Sequence, residues 1–265
     1  MIPKIIHYIW VGDQPKPDLI LKCISSWKEH LSDYEFLEWD NNSIKKIDNR
    51  YLQEAFQQKK WAFVADYLRV YALYHYGGIY LDTDTEIKQS LSIFLKNTFF
   101  SGFELYEGEE RPFAGVIGAI KNCEITKDLL SLYADIPFIK TDRSLDLTTS
   151  PARYAMYYAN KFNYTKPAKG YDGSKIVELT QGVKLYPYFF FCTPVNNKPL
   201  YAIHHFAGSW LDGYSRRKKF GLGELSLIRF KRENYKSNSL PLYAGERILI
   251  KIKIKNNIFA LTKKE

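Results

Sequence analysis

Cysteine is scarce in this 265-residue chain. Cys23, Cys123 and Cys192 are odd in number and far apart. Such a set builds neither a disulfide framework nor a cysteine-based zinc site, and it fits a reducing compartment. Long apolar runs are also missing: no stretch reaches the roughly 18 apolar residues that a membrane span needs. The apolar run at the N-terminus is too short and too soon interrupted for a signal peptide. A cytoplasmic protein is therefore expected. No internal repeat or low-complexity linker is present, so residues 1–214 read as one domain.

Net charge is lacking over most of the chain and concentrated at its end. Residues 215–265 hold 14 Lys/Arg against 4 Asp/Glu, a balance of +10, whereas the whole chain carries only +9. The body is thus close to neutral, which argues against a nucleic-acid-binding face. What is abundant is core material, with 46% hydrophobic and 16% aromatic residues, enough for a substantial packed domain.

The order of elements predicts an α/β fold. Lys4–Val11 reads as a buried strand. A helix capped by Asp18 follows, with Ile20, Ile24, Trp27 and Leu31 on one face. Tyr34–Trp39 reads as a second strand and 44–58 as a polar helical stretch. Strands are expected at 98–103 and 113–120 around an acidic loop, Glu104–Arg111. Helices are expected at 124–134 and from Ser150, where Pro151 sits in the first turn. Short strands are expected at 175–179, 183–186, 188–192 and 200–205. Strand, helix and strand in alternation is the pattern of a largely parallel sheet.

Residues 61–86, WAFVADYLRVYALYHYGGIYLDTDTE, are the most informative. The first sixteen form a helix without a polar side, which must be buried. Asp66 and Arg69 nevertheless sit inside it, three residues apart and so on one face. Gly77 and Gly78 end the helix, and the strand Ile79–Leu81 runs into Asp82-Thr83-Asp84. Alternation would project both carboxylates the same way. At ~6 Å they repel by roughly 3 kcal/mol at an effective dielectric near 20. A hard divalent cation removes that cost. The carboxyl end of a strand is also where open α/β sheets bind ligands.

The run A-D-x-x-R-x-x-x-L-x-x-x-G-G-I-Y-x-D-x-D resembles the sugar-binding region of glycosyltransferase family 32. It is also similar to the transferase domain of the large clostridial glucosylating toxins. The resemblance implies a glycosyltransferase A-type fold, a Rossmann-like mixed sheet flanked by helices, here with a basic C-terminal extension over 215–265. It implies a retaining, Mn²⁺- or Mg²⁺-dependent transfer of a hexose or N-acetylhexosamine from a nucleotide-sugar, a UDP-sugar foremost. The acceptor expected is a saccharide or lipid-linked saccharide in bacterial capsule or lipopolysaccharide synthesis.

Residue by residue, the resemblance assigns Asp66 and Arg69 to the donor sugar and Tyr80 to the neighbourhood of the ribose. Asp82 would contact ribose or hold the metal through water, and Asp84 would ligate it directly. His7-Tyr8-Ile9-Trp10 matches the toxins' H-x-x-W, which makes Trp10 the platform for the base and His7 a structural residue. In A202-I-H-H-F-A-G-S-W210, His205 matches the late metal ligand, with His204 as the fallback. Ser209 and Trp210 match the loop that holds the β-phosphate and closes over the donor. Thr148-Thr149-Ser150-Pro151 resembles a T-G-P element with serine in place of glycine.

Three alternatives stand beside this reading. Asp82-Thr83-Asp84-Thr85 also fits the D-x-D-x-T motif of haloacid-dehalogenase-type phosphatases, although the later lysine and acidic pair are not evident. A nucleotide-sugar binder without turnover would keep the site and lose the chemistry. A protein acceptor, as for the toxins, would change only the partner. The tail reads as a helix through Leu222, Leu225 and Ile228, then a strand, Ile250–Lys255. It is either a packed extension or an element adsorbing to an anionic membrane surface, which would make the protein peripheral on the inner face of the cell membrane.

Overall fold

A computed structural model describes residues 1–106, 109–164, 175–207, 214–222, 225–232, 246–254 and 257–264. The chain divides into two units, Met1–His204 and His205–Glu265. The sequence had set this boundary at residue 214.

In the first unit, β1 (Ile5–Ile9) leads through α1 (Asp18–His30) to β2 (Glu35–Trp39). Two short helices follow, α2 (Asn41–Ile44) and α3 (Arg50–Gln57), then α4 (Trp61–Tyr76). β3 (Gly78–Leu81) and β4 (Thr85–Ile87) flank the two aspartates. β5 (Phe99–Tyr106), β6 (Glu109–Ala119), α5 (Glu124–Ser131) and α6 (Ser150–Phe162) come next. β7 (Val177–Thr180), β8 (Val183–Tyr186), α7 (Tyr188–Phe191) and β9 (Ala202–His204) complete the unit.

Seven strands form one mixed sheet in the order β2-β1-β3-β6-β5-β8-β7, and β4 pairs with β9 as a separate ribbon. β1 is parallel to both β2 and β3, whereas β6 runs antiparallel to β3 and β5. This is the helix-flanked mixed α/β sheet expected. α4 fits its sequence: Phe63, Val64, Leu68, Val70, Ala72 and Leu73 are buried, and so are Asp66 and Arg69. Burial of such a helix rests on its apolar surface, at roughly 25 cal/mol per Å² removed from water. It ends at Gly77 (φ 69°), followed by Gly78 (φ 109°), conformations that side chains rarely adopt. A Cβ on Gly78 would also lie 2.6 Å from the Ile5 carbonyl oxygen, so β3 can approach β1 only through glycine.

Several expectations are corrected. Asp18 is the first residue of α1 and makes no capping bond; Pro17 occupies the cap. Glu104–Arg111 is no loop, because β5 and β6 continue as a hairpin with Glu104 opposite Arg111. The opposite charges face each other and pair across the strands. Residues 188–191 form a single helical turn rather than a strand, a run too short for periodicity to distinguish the two.

The second unit is a four-stranded antiparallel sheet of β10 (Tyr214–Leu222), β11 (Leu225–Arg232), β12 (Glu246–Ile254) and β13 (Asn257–Lys264), in the order β10-β11-β13-β12. Leu222, Leu225 and Ile228 therefore lie in strands, not in a helix. Leu225 and Leu227 carry the period-2 pattern that decides it, while 250–254 is a strand as expected.

Candidate functional site

β3, an inner strand of the sheet, leads at its carboxyl end into Asp82, and a turn completes the geometry. The Asp82 N–H donates to the Gly115 carbonyl (2.8 Å) on β6, and the Thr85 N–H donates to the Asp82 carbonyl (2.9 Å). The two aspartates therefore converge through a four-residue turn, not through strand alternation as the sequence suggested. β9 then lies antiparallel to β4 with His204 opposite Thr85. The His204 Nε2 atom is 3.2 Å from Asp84 Oδ1 and 3.9 Å from Asp82 Oδ2. Among the described residues, Asp82, Asp84 and His204 form a group able to hold a metal ion, with ligand atoms within 4.8 Å of one another. The histidine of this group is His204, the fallback, and not His205, the residue favoured from the sequence. A three-residue β9 ending at His204 explains the shift, since the strand register selects the imidazole.

Two carboxylates with one imidazole suit a divalent ion such as Mn²⁺, which accepts both oxygen and nitrogen ligands. Burial works against charge on His204, yet Asp84 beside it and Cys192 behind it hold its pKa well above the ordinary value. A metal ion would bind the neutral imidazole, so loading the site would release a proton from His204. The Phe113 ring lies 5.0 Å from the His204 ring.

Asp82 is also tied inward. Tyr80 donates its hydroxyl to Asp82 Oδ1 (2.6 Å), and Arg69 Nη1 is 3.4 Å from the same atom. Arg69 lies over the Tyr80 ring, 4.7 Å from its centroid, within cation–π range. Its Nη2 pairs with Asp66 Oδ1 at 2.9 Å and its Nε donates to the Ala65 carbonyl at 3.2 Å. Tyr80 is buried with its hydroxyl committed to Asp82, which makes it part of the scaffold. Asp66 Oδ2 accepts the Ser150 N–H (3.1 Å) at the start of α6. Burial pushes the Asp66 carboxyl up, while Arg69 and Ser150 pull it back. Both oxygens face donors, as an acceptor-only carboxylate requires. The Ser150-Pro151 helix start thus gives its N–H to Asp66, and the positive end of α6 reinforces that anion.

Trp10 follows β1, whose parallel register with β3 (Ile6 with Ile79, His7 with Tyr80) puts it at the same end of the sheet as Asp82. Its Nε1 donates to the Gln14 carbonyl (2.9 Å), and Lys16 Nζ sits 5.8 Å from the ring centroid. His7 is structural: buried, with Nε2 2.7 Å from the Gly77 carbonyl oxygen and Nδ1 accepting from Trp39 Nε1 at 3.2 Å. Ser209 and Trp210 lie outside the described residues.

Sequence reasoning passed over two residues that the fold brings in. Gly115 leaves room for Asp82, since a Cβ there would lie 2.8 Å from Asp82 Oδ2. Glu104 is buried and paired with Arg111, and burial pushes its carboxyl up while Arg111 and His204 oppose this. A glycine inside an alternating strand was the one available signal for the first.

Parts of the chain are similar to known proteins. The family described as a glycosyltransferase sugar-binding region containing a DXD motif matches residues 17–100. An uncharacterized glycosyltransferase of Acanthamoeba polyphaga mimivirus is 32% identical over 129 residues, which is 46% of this chain and 51% of that protein. Inositol phosphoceramide mannosyltransferase 3 of Schizosaccharomyces pombe is 33% identical over 94 residues, 34% of this chain and 26% of that protein. The chain thus spans about half, or less, of the curated relatives it matches. The PaToxG glycosyltransferase structure aligns with a TM-score of 0.40 at 22% identity, over 49% of this chain and 60% of that one. These relatives are viral or fungal where their source is named, and they lend nothing to the bacterial capsule or lipopolysaccharide pathway expected above. Residues 17–100 are thus similar to the sugar-binding region of the DXD glycosyltransferases.

Proposed function

We propose that this protein is a metal-dependent, retaining glycosyltransferase that moves a hexose or N-acetylhexosamine from a nucleotide-sugar, a UDP-sugar foremost, to a saccharide or lipid-linked hydroxyl. The observation that carries the reading is the convergence of Asp82, Asp84 and His204 beyond the carboxyl end of β3. Arg69 links Asp82 to Asp66 in the same site.

Asp82, Asp84 and His204 would hold a divalent cation, which would supply positive charge against the donor diphosphate and the leaving nucleotide. The remaining work belongs to the chain. Tyr80 and Arg69 fix Asp82, so that its second oxygen faces His204. Asp66 and Arg69, preorganised by Ala65 and Ser150, orient the sugar. Trp10 offers an aromatic face to the base. No side chain of the group serves as a covalent nucleophile in this scheme. The leaving phosphate takes the proton of the acceptor hydroxyl on the same face of the sugar. The phosphatase alternative needs a later lysine and an acidic pair at a strand end, and phosphate released from a generic phosphoester would favour it.

The test is a panel of nucleotide-sugars with Mn²⁺, read as released nucleotide. One donor should turn over with the metal and stop with a chelator. Asp84→Asn, which removes one ligand but leaves the packing alone, should lower turnover by at least about a hundredfold, on the order of losing one preorganised electrostatic contact. Undiminished turnover in that variant would overturn the assignment. Nucleotide binding without turnover would favour the binder.

A further inference from the structure

The sheet of the second unit carries an apolar face in its most basic segment. Leu227 pairs with Leu261, and Leu261 with Ile250; Leu225 pairs with Lys263. Paired positions share a face, and alternate residues along a strand return to it. Leu225, Leu227, Ile250, Ile252, Leu261 and Lys263 therefore lie together on one side. Leu225 is 38% exposed, Ile250 56% and Ile252 55%, and Leu227 and Leu261 are half-buried. A solvated face of an antiparallel sheet normally alternates to polar residues. This one presents leucine and isoleucine across three strands, about 10 Å at the usual strand spacing.

The net charge of the segment selects what covers that face. Residues 215–265 carry a net +10. A second copy of the same sheet would bring +10 against +10, which opposes self-association. A surface that is apolar within and anionic at its boundary complements both properties at once. We propose that this face docks on an anionic lipid bilayer. Ile250, Ile252 and Leu225 enter the headgroup–acyl boundary, and Lys263, with the basic positions Arg229 and Arg247 that the register places on the same side, meets the lipid phosphates. The mode is that of an interfacial amphipathic element, built here from strands.

The test uses the full chain and sedimentation with vesicles of phosphatidylcholine alone or mixed with phosphatidylglycerol. Binding should require the anionic lipid, at roughly fivefold in affinity per engaged basic residue. It should weaken steeply as salt rises. The double variant Ile250→Asp and Ile252→Asp should bind the mixed vesicles at least about tenfold more weakly, with an unchanged thermal transition. Should that variant fail to fold, Ile252→Ser alone should still lower binding. No binding of the parent chain to mixed vesicles at low salt would overturn the proposal. So would equal binding of the variants, or a parent dimer that the variants dissolve. Vesicle binding is read independently of sugar transfer, so either conclusion can fail without the other.

Discussion

Replacing His7 by glutamine isolates the anchor that sets the Gly77–Gly78 turn, and with it the approach of β3 to the site. His7 Nδ1 accepts from Trp39 and its Nε2 faces the Gly77 carbonyl. Only the neutral tautomer with hydrogen on Nε2 satisfies both, because a second ring N–H would point at the indole N–H. Burial lowers the imidazole from 6.5 to about 4, partly opposed by the Gly77 carbonyl. Between those two values the unfolded chain binds a proton that the native chain refuses, so stability falls as pH falls from 6.5 toward 4. Each pH unit in that window costs about 1.4 kcal/mol. Moving from pH 7 to pH 5 therefore costs roughly 2 kcal/mol through this residue alone. At about 2–4 °C per kcal/mol for a unit of this size, the melting temperature should drop by about 4–8 °C. Glutamine can donate to Gly77 and accept from Trp39 without titrating. The His7→Gln variant should be less stable at pH 7, and its deficit should shrink by roughly 2 kcal/mol at pH 5. Urea unfolding of both proteins at several pH values measures this, and other titrating groups cancel in the difference. Parallel pH slopes for the two proteins would refute the reasoning: His7 would then titrate as if in water, and the turn would not be sealed.

Two further substitutions probe the site itself. Asp66→Asn leaves Arg69 buried with Asp82 as its remaining carboxylate; breaking a buried pair costs about 3–5 kcal/mol, and the surviving partner should reduce this to about 2–3 kcal/mol, read as a fall in melting temperature together with weaker Mn²⁺ binding by calorimetry. Gly115→Ala puts a methyl group 2.8 Å from Asp82 Oδ2 and 2.4 Å from the Phe113 ring; overpacking of this kind costs about 1–3 kcal/mol, and Mn²⁺ affinity should fall by more than about tenfold, whereas unchanged affinity would show that Asp82 has room to move.

The strongly periodic parts of the chain were legible. α4 has no polar side and ends at two glycines, so its burial and termination follow from elementary sterics. Asp82 and Asp84 were recognisable as a pair because they follow an apolar strand. How they meet was not, since the turn depends on the Gly115 carbonyl, which accepts from Asp82 across a long stretch of sequence. The identity of the histidine was a matter of register: adjacent residues point to opposite faces of a strand, and only the pairing of β9 with β4 decides between His204 and His205. Short elements failed for the same reason, because a four-residue run such as Tyr188–Phe191 carries no resolvable period. In the tail, the spacing of Leu222, Leu225 and Ile228 imitated a helix, while the strand pairing of Leu225 and Leu227 with β13 overrode it.

The Asp66–Arg69 pair shows why site and core cannot be separated here. Taken as a stabilising contact it explains little, because desolvating two charges consumes most of what their attraction returns. Its partners give it a reason. Asp66 holds Arg69 on one side and receives the Ser150 N–H on the other, while Arg69 also reaches Asp82, which Tyr80 fixes. The chain of contacts runs from the N-terminus of α6 through a buried helix to the first aspartate of the candidate metal group. Each member has few alternative rotamers because it is packed, so the positions of Asp82 and the guanidinium are set before any ligand arrives. Under the proposed function, a site that aligns a diphosphate with a sugar would gain rate from such preorganisation.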